Sequence, residues 1–154
     1  MRIWTIGHST RSADAFLALL AEHRIEVLAD IRRFPTSRWE QFQQPNLRAH
    51  LSRAGIKYVH LAALGGFRGN YVAYTETPEF AAGLEELLAL AANRSTAIMC
   101  AEAVFFRCHR RFVADVLVRR GVEVLHIMEP GRVRAHKALP TLEKAMSGAP
   151  SRPS

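Results

Sequence analysis

The chain has 154 residues, 49% of them apolar and 23% charged, the balance of one globular domain and not of a disordered segment. No apolar run reaches the roughly 18 residues of a membrane span, and the opening MRIWTIGHST holds no long apolar signal core, so the expected compartment is the cytoplasm. Twenty-one Lys and Arg against fourteen Asp and Glu give +7, a field that attracts anions without choosing between nucleotides, nucleic acid and phosphorylated metabolites.

Ile3 to Ile6 is short, apolar and β-branched, and reads as a first strand. Gly7, His8, Ser9 and Thr10 form a polar turn, and Ser12 suits the N-cap of a helix carrying Phe16, Leu17, Leu19 and Leu20. A second strand covers about Glu26 to Ile31. A long polar loop from Arg32 to Gln44 follows, and Pro45 opens a helix over Leu47 and Leu51 that Gly55 ends. Lys57 to Leu61 is a third strand, followed by a loop with Gly65, Gly66, Gly69, Tyr71 and Tyr74. Thr77 and Pro78 are an N-cap and first-turn pair for a helix reaching about Ala92, with Asn93 as its stop. Thr96 to Cys100 is a fourth strand, Cys108 to Arg120 a helix ended by Gly121, and Val122 to Met128 a fifth strand. Pro130 and Gly131 break the pattern, a short helix near Leu142 closes it, and residues 147–154 read as a flexible tail to a single domain of residues 1–146.

Five strands alternating with four helices predict a mostly parallel five-stranded sheet with helices on both faces, a Rossmann-like open α/β sandwich. A fragment of a β/α barrel is the competing architecture, but eight units need about 250 residues. In such sheets ligands bind beyond the carboxyl ends of the strands. Reactive and cationic residues gather there: Gly7, His8 and Ser9 after strand one, Asp30, Arg32 and Arg33 after strand two, Gly65 and Gly66 after strand three. Cys100 and Glu102 follow strand four, with Cys108, His109 and Arg110 at the next helix start, and His126 and Glu129 lie near the end of strand five. The opposite edge carries ordinary helix stops.

The Gly7-His8-Ser9 turn joins a strand to a helix, where free N–H groups favour anions; a capping turn with an exposed His is the plainer alternative. It matches no nucleotide fingerprint. Asp30 at a strand end either orients Arg32 or serves as a general base. Arg32, Arg33 and Arg38 can clamp an anion, with Trp39 and Phe42 as stacking faces. A thiolate at Cys108 would be favoured by the helix start and neighbouring Arg107 and Arg110, while Cys108, Phe112 and Val116, four apart, equally describe a buried face. Arg111, Asp115 and Arg119 form a second four-spaced row that reads as a solvated ion-pair face. A phosphatase-type Cys loop is disfavoured by Phe105 and Phe106, which obstruct a backbone anion cradle. Cys100, Glu102, Cys108 and His109 are zinc-ligand types, but their spacing matches no finger.

Together, TIGHS at residues 5–9, DIRRFPTSR at 30–38, GIKYVHLAALGG at 55–66 and the MCAE and CHR elements within 99–110 resemble the domain-of-unknown-function 488 family. That resemblance implies a compact α/β domain of bacterial or archaeal cytosolic type and assigns no activity. Its signature positions fall on Gly7, His8, Ser9, Asp30, Arg32, Pro35, Gly65, Gly66, Cys100, Glu102, Cys108, His109 and Arg110. Phe105 stands where many members have Pro.

The residues point to an enzyme acting on an anionic, nucleotide-like or nucleic-acid substrate. Asp30, Cys100, Glu102, Cys108 and His109 are the catalytic candidates; Gly7, His8, Ser9, Arg32, Gly65, Gly66 and Arg110 are the binding candidates. The alternative is a non-catalytic module that holds nucleic acid on its Arg-rich surface with Trp39, Phe42, Tyr71 and Tyr74. No membrane contact is expected, and no cofactor or oligomeric state is specified.

Overall fold

The computed structural model describes residues 1–65, 70–103 and 109–137. Six strands form one sheet: β1 (Arg2–Gly7), β2 (Val27–Asp30), β3 (Lys57–His60), β4 (Thr96–Cys100), β5 (Glu123–Glu129) and β6 (Arg132–Ala135). Their order is β3-β2-β4-β1-β5-β6. The first five are parallel, and β6 is antiparallel to β5. Compared with the Rossmann order 3-2-1-4-5-6, β1 and β4 have exchanged places.

The helices are α1 (Ala13–Glu22), α2 (Gln44–Arg53), α3 (Tyr71–Tyr74), α4 (Pro78–Asn93) and α5 (Arg110–Arg119). The two expected side-chain caps are present. Ser12 accepts from the Ala15 N–H and Thr77 from the Phe80 N–H, each satisfying a donor that the first helical turn leaves open. Strand residues alternate between two cores, as a two-residue period requires. Ile6, Leu28, Ala97 and Met99 meet Phe16 and Leu19 of α1 and Leu47 and Leu51 of α2. Ile3, Ala29 and Ile98 meet Leu84 and Leu87 of α4 and Val113 and Leu117 of α5. The chain steps one way across the sheet through α1 and α2 and back through α4 and α5, so crossovers of one hand place the two pairs on opposite faces.

Besides short 3₁₀ turns at Glu40–Phe42 and Ala62–Leu64 inside stretches read as loop, two elements differ from the sequence expectation. The Pro130-Gly131 break is a hairpin turn, with Gly131 at φ +73°, the conformation a Pro-Gly type II turn requires. It leads into β6, the sixth strand. All four β6 residues are exposed, so β6 lacks the apolar run by which the other strands announce themselves. The short α3 lies in a stretch read as loop; Asn70 caps it by accepting from the Ala73 N–H. The Cys108 start of the fourth predicted helix and the helix near Leu142 lie outside the described residues. Among the described residues no helix is long and apolar enough to cross a membrane.

Candidate functional site

Strands β1 and β4 are neighbours, yet β1 leads to α1 on one face and β4 to α5 on the other. Their following loops therefore diverge, which is the switch point where open sheets form ligand crevices. A hollow of about 330 Å³ lies there. The loop after β1 contributes His8, Ser9 and Thr10, the loop after β2 contributes Thr36, Ser37, Arg38 and Trp39, and the loop after β4 contributes Ala101 and Glu102. Two other hollows, of about 400 and 470 Å³, flank α2. Neither is lined by a residue that carries a buried polar atom lacking a partner among the described residues, whereas the switch-point hollow is.

That atom is Nε2 of His8. The residue is only 2% exposed, and its ring stacks on Phe42 at 4.3 Å. Nδ1 lies 2.9 Å from the Ser9 carbonyl oxygen. A carbonyl only accepts, so Nδ1 carries the proton. Burial lowers the His8 pKa below its ordinary 6.5; the Ser9 carbonyl opposes this, nearby Arg32 adds to it, and Asp30 opposes it. The ring is therefore neutral at pH 7, and Nε2 keeps a bare lone pair with no hydrogen-bond partner among the described residues. This is the tautomer and orientation control that a histidine base needs.

Backbone packing makes the hollow. The His8 and Ser9 N–H groups donate to the Cys100 and Ala101 carbonyls at 2.9 and 2.8 Å. They extend the β1–β4 ladder and are not free for an anion. The contact is so close that a Cβ on Gly7 would lie 1.7 Å from the Glu102 carbonyl oxygen. Ser9 takes φ +49°, a left-handed conformation that is strained for a residue with a side chain. Gly65 allows a similar approach, since its Cβ would lie 2.4 Å from the Arg33 nitrogen.

Buried guanidinium groups hold the loops. Asp30 is fully buried. Its carboxylate accepts from Arg32 Nε and Nη2 at 2.9 and 2.8 Å, from the Arg32 N–H at 3.1 Å, and from the Tyr58 hydroxyl at 2.7 Å. Burial and the Asp30 carboxylate push the Tyr58 hydroxyl well above its ordinary pKa. Arg32 Nη1 donates to the Phe42 and Thr36 carbonyls at 2.8 and 3.3 Å. The pair thus ties the long loop to β2 and fixes Phe42, the ring behind His8. Arg110, 1% exposed, donates from Nη2 to the Glu102 and Ala103 carbonyls, both at 3.2 Å. Arg11, which nothing in the sequence singled out, donates to the Gly7 and Met128 carbonyls at 3.3 and 2.9 Å. Carboxyl ends of parallel strands crowd carbonyl oxygens together, and buried cations satisfy them.

The expected constellation is therefore split. His8, Ser9 and the exposed Glu102 share the hollow. Asp30, Arg32 and Arg110 lie beneath it, bonded to the protein. Cys100 is 5% exposed and packs in the α4–α5 core, its Sγ 3.7 Å from the Glu102 carbonyl oxygen. His109 packs on the Tyr71 ring at 4.6 Å, and burial lowers its pKa. Cys108 and Gly66 lie outside the described residues. Of the expected stacking rings, Phe42, Tyr71 and Tyr74 are buried, and Trp39 is 38% exposed. Among the described residues no three His, Cys, Asp or Glu side chains gather to hold a metal ion.

A second polar cluster lies away from the hollow. His126, fully buried on β5, bonds Thr5 Oγ1 at 2.6 Å through Nδ1 and His136 at 2.8 Å through Nε2. His136 in turn bonds Asp115 at 2.6 Å. Burial pushes the His126 pKa down to about 3, helped by His136, Arg110 and Arg134. Asp115, expected on a solvated face, is 7% exposed because His136 covers it.

The fold and site define an open α/β sandwich with a histidine-lined hollow at its switch point. The model of the domain of unknown function DUF488 matches residues 12–117, more than half of the chain, and the chain belongs to that family. The matched span contains Asp30, Arg32, Cys100 and Glu102 and leaves out the Gly7-His8-Ser9 turn. No curated protein and no solved structure matches.

Proposed function

We propose that the chain is an enzyme using His8 as general base on a small anionic, nucleotide-like substrate bound in the switch-point hollow. The observation that carries this reading is the buried, neutral imidazole with one nitrogen tied to the Ser9 carbonyl and the other unpartnered among the described residues. Nε2 takes the proton of a water or substrate hydroxyl as that oxygen forms its bond to the electrophilic centre. The bond to the leaving group breaks, and its electron pair departs with that group. Arg38, stacked over Trp39 at 5.9 Å, meets the substrate's charge, and Trp39 offers the stacking face. Asp30, Arg32 and Arg110 are positioning residues. Among the described lining residues Trp39 is the one exposed ring, which favours one small ligand over the several stacked bases of a nucleic-acid track.

The test incubates a panel of mono- and dinucleotides with the protein and separates products by chromatography. His8→Gln should lower turnover about 10²- to 10⁴-fold, the usual contribution of a positioned base. Undiminished turnover in that variant, or none by the wild type across the panel, would remove the reading.

A further inference from the structure

Acidic residues are unevenly spread along the chain. Between Glu40 and Glu76 there is none, while the same stretch carries Arg48, Arg53, Lys57 and Arg68. Four cations and no acid give residues 41–75 a charge of +4, more than half of the net +7 on fewer than a quarter of the positions. The fold gathers α2 and β3 from this stretch at one end of the sheet, where β3 is an edge strand. Leu47 and Leu51 of α2 are buried in the core with Phe16 and Leu28, and Arg48, Ser52, Arg53 and Lys57 are exposed. Arg68 lies outside the described residues. Elsewhere Arg2 pairs with Glu123, Arg120 with Glu85 and Arg132 with Glu129, at 2.7, 2.8 and 3.5 Å. Among the described residues no carboxylate pairs with Arg48, Arg53 or Lys57. Arg48 lies over the Tyr58 ring at 4.8 Å. Such stacking holds a guanidinium in place and keeps its N–H edges for an outside acceptor. Arg53 Nη2 donates to His50 Nδ1 at 2.9 Å. Arg48 and Lys57 line one hollow of about 470 Å³ together with Ser52.

The complement of these cations is a row of negative charges, and the surface selects among polyanions. A lipid surface takes an apolar side that sinks below the headgroups. Among the described residues the exposed large apolar side chains are Met1, Phe34, Trp39, Val72 and Val133, none of them on α2 or β3. A single strand is held by cations interleaved with open rings, and the ring here, Tyr58, is buried beneath Arg48. A duplex, with one negative charge per roughly 1.7 Å of its axis, needs neither. We infer that the α2–β3 end of the sheet docks on the phosphate backbone of a nucleic-acid duplex through Arg48, Arg53 and Lys57. Ser52 is an accessory phosphate donor, and phosphate contacts of this kind position without reading sequence. The surface shares no lining residue with the switch-point hollow, so its failure would leave the proposed substrate site untouched.

Fluorescence anisotropy tests it, with the full chain titrated into a labelled DNA duplex of about 20 base pairs. Binding should be of the non-specific class, with Kd on the order of 10⁻⁶ to 10⁻⁴ M, and duplexes of unrelated sequence should agree within about threefold. Three phosphate contacts give a slope of log K against log salt of about −2.7, roughly a 40-fold weakening between about 50 and 200 mM salt. Arg48→Gln combined with Arg53→Gln should reduce that slope by about 2, and Lys57→Gln alone by about 1. All three side chains are exposed, and an unchanged Tm checks that the variants fold. Arg132→Gln combined with Arg134→Gln removes as much charge from β6, the opposite edge of the sheet, and should leave the slope unchanged. Unlabelled single strand, polyglutamate and phosphatidylserine vesicles should each displace the duplex only at higher concentrations of charge. Equal losses from the two double variants would show that overall charge alone acts, and would overturn the assignment. Stronger displacement by a competitor would overturn it in favour of that partner, and absence of duplex binding at about 50 mM salt would overturn it outright.

Discussion

Replacing Arg32 with Ala removes one partner of a pair whose side chains are 6% and 0% exposed. Asp30 would keep the Tyr58 hydroxyl and the backbone N–H of residue 32, at 2.7 and 3.1 Å. It would lose both guanidinium contacts while remaining in the interior. The Phe42 and Thr36 carbonyls would lose their donor as well. Breaking a buried pair from one side costs about 3–5 kcal/mol, which for a chain of this size lowers Tm by about 6–20 °C. The double variant Asp30→Asn, Arg32→Met, which leaves no lone charge inside, should lose distinctly less. Urea unfolding followed by tryptophan fluorescence measures both, since Trp39 rides on the anchored loop. A loss below about 1 kcal/mol in Arg32→Ala is the behaviour of a solvent-screened surface pair, and would show that these residues do not anchor the loop.

Three further outcomes are expected. Gly7→Ala should displace the 101–103 loop, because its Cβ would fall 1.7 Å from a backbone oxygen; lowered Tm and weakened ligand binding together check this, and an unchanged Tm would contradict it. The native protein should lose stability as pH falls from about 6.5 toward 3. His126 stays neutral in the folded chain down to about 3, while in the unfolded chain it takes up a proton near its ordinary 6.5. The unfolded state then binds more protons, which costs up to about 1.4 kcal/mol per pH unit for that histidine. His126→Asn should flatten the slope of urea stability against pH in that window, and an unaltered slope would contradict the assignment. In a Cys108→Ser background the remaining thiol, Cys100, should resist a thiol reagent until urea unfolds the chain, since it is 5% exposed; rapid reaction in the native state would restore it as a nucleophile.

Much of the fold is legible in the chain itself. The five parallel strands show as apolar runs, and Ser12 and Thr77 mark helix starts by their side-chain chemistry. β6 is hidden because Arg132, Val133, Arg134 and Ala135 are all exposed, form no apolar run, and alternate charged and apolar over only four residues. The site was partly readable: strand-end placement brings His8 and Glu102 into view. Other roles depend on partners distant in sequence. Arg32 and Arg110 are residue types suited equally to a ligand's phosphate and to the protein's own carbonyls, and only burial decides between them. Asp115 sits in a four-spaced charged row, yet His136, twenty-one residues further on, takes it out of solvent. The ring that backs His8 is Phe42, on a loop whose sequence does not reveal that it folds inward.

The most direct test of the site is nitrogen NMR of the histidine rings across pH, with His8 assigned from the spectrum that His8→Gln loses. The expected result is a neutral ring protonated on Nδ1 at pH 7, a pKa below 6.5, and an Nε2 signal that shifts when a nucleotide that the protein turns over is added. A ring protonated on Nε2, or one that titrates at or above 6.5, would contradict the assignment of His8 as the base of this hollow.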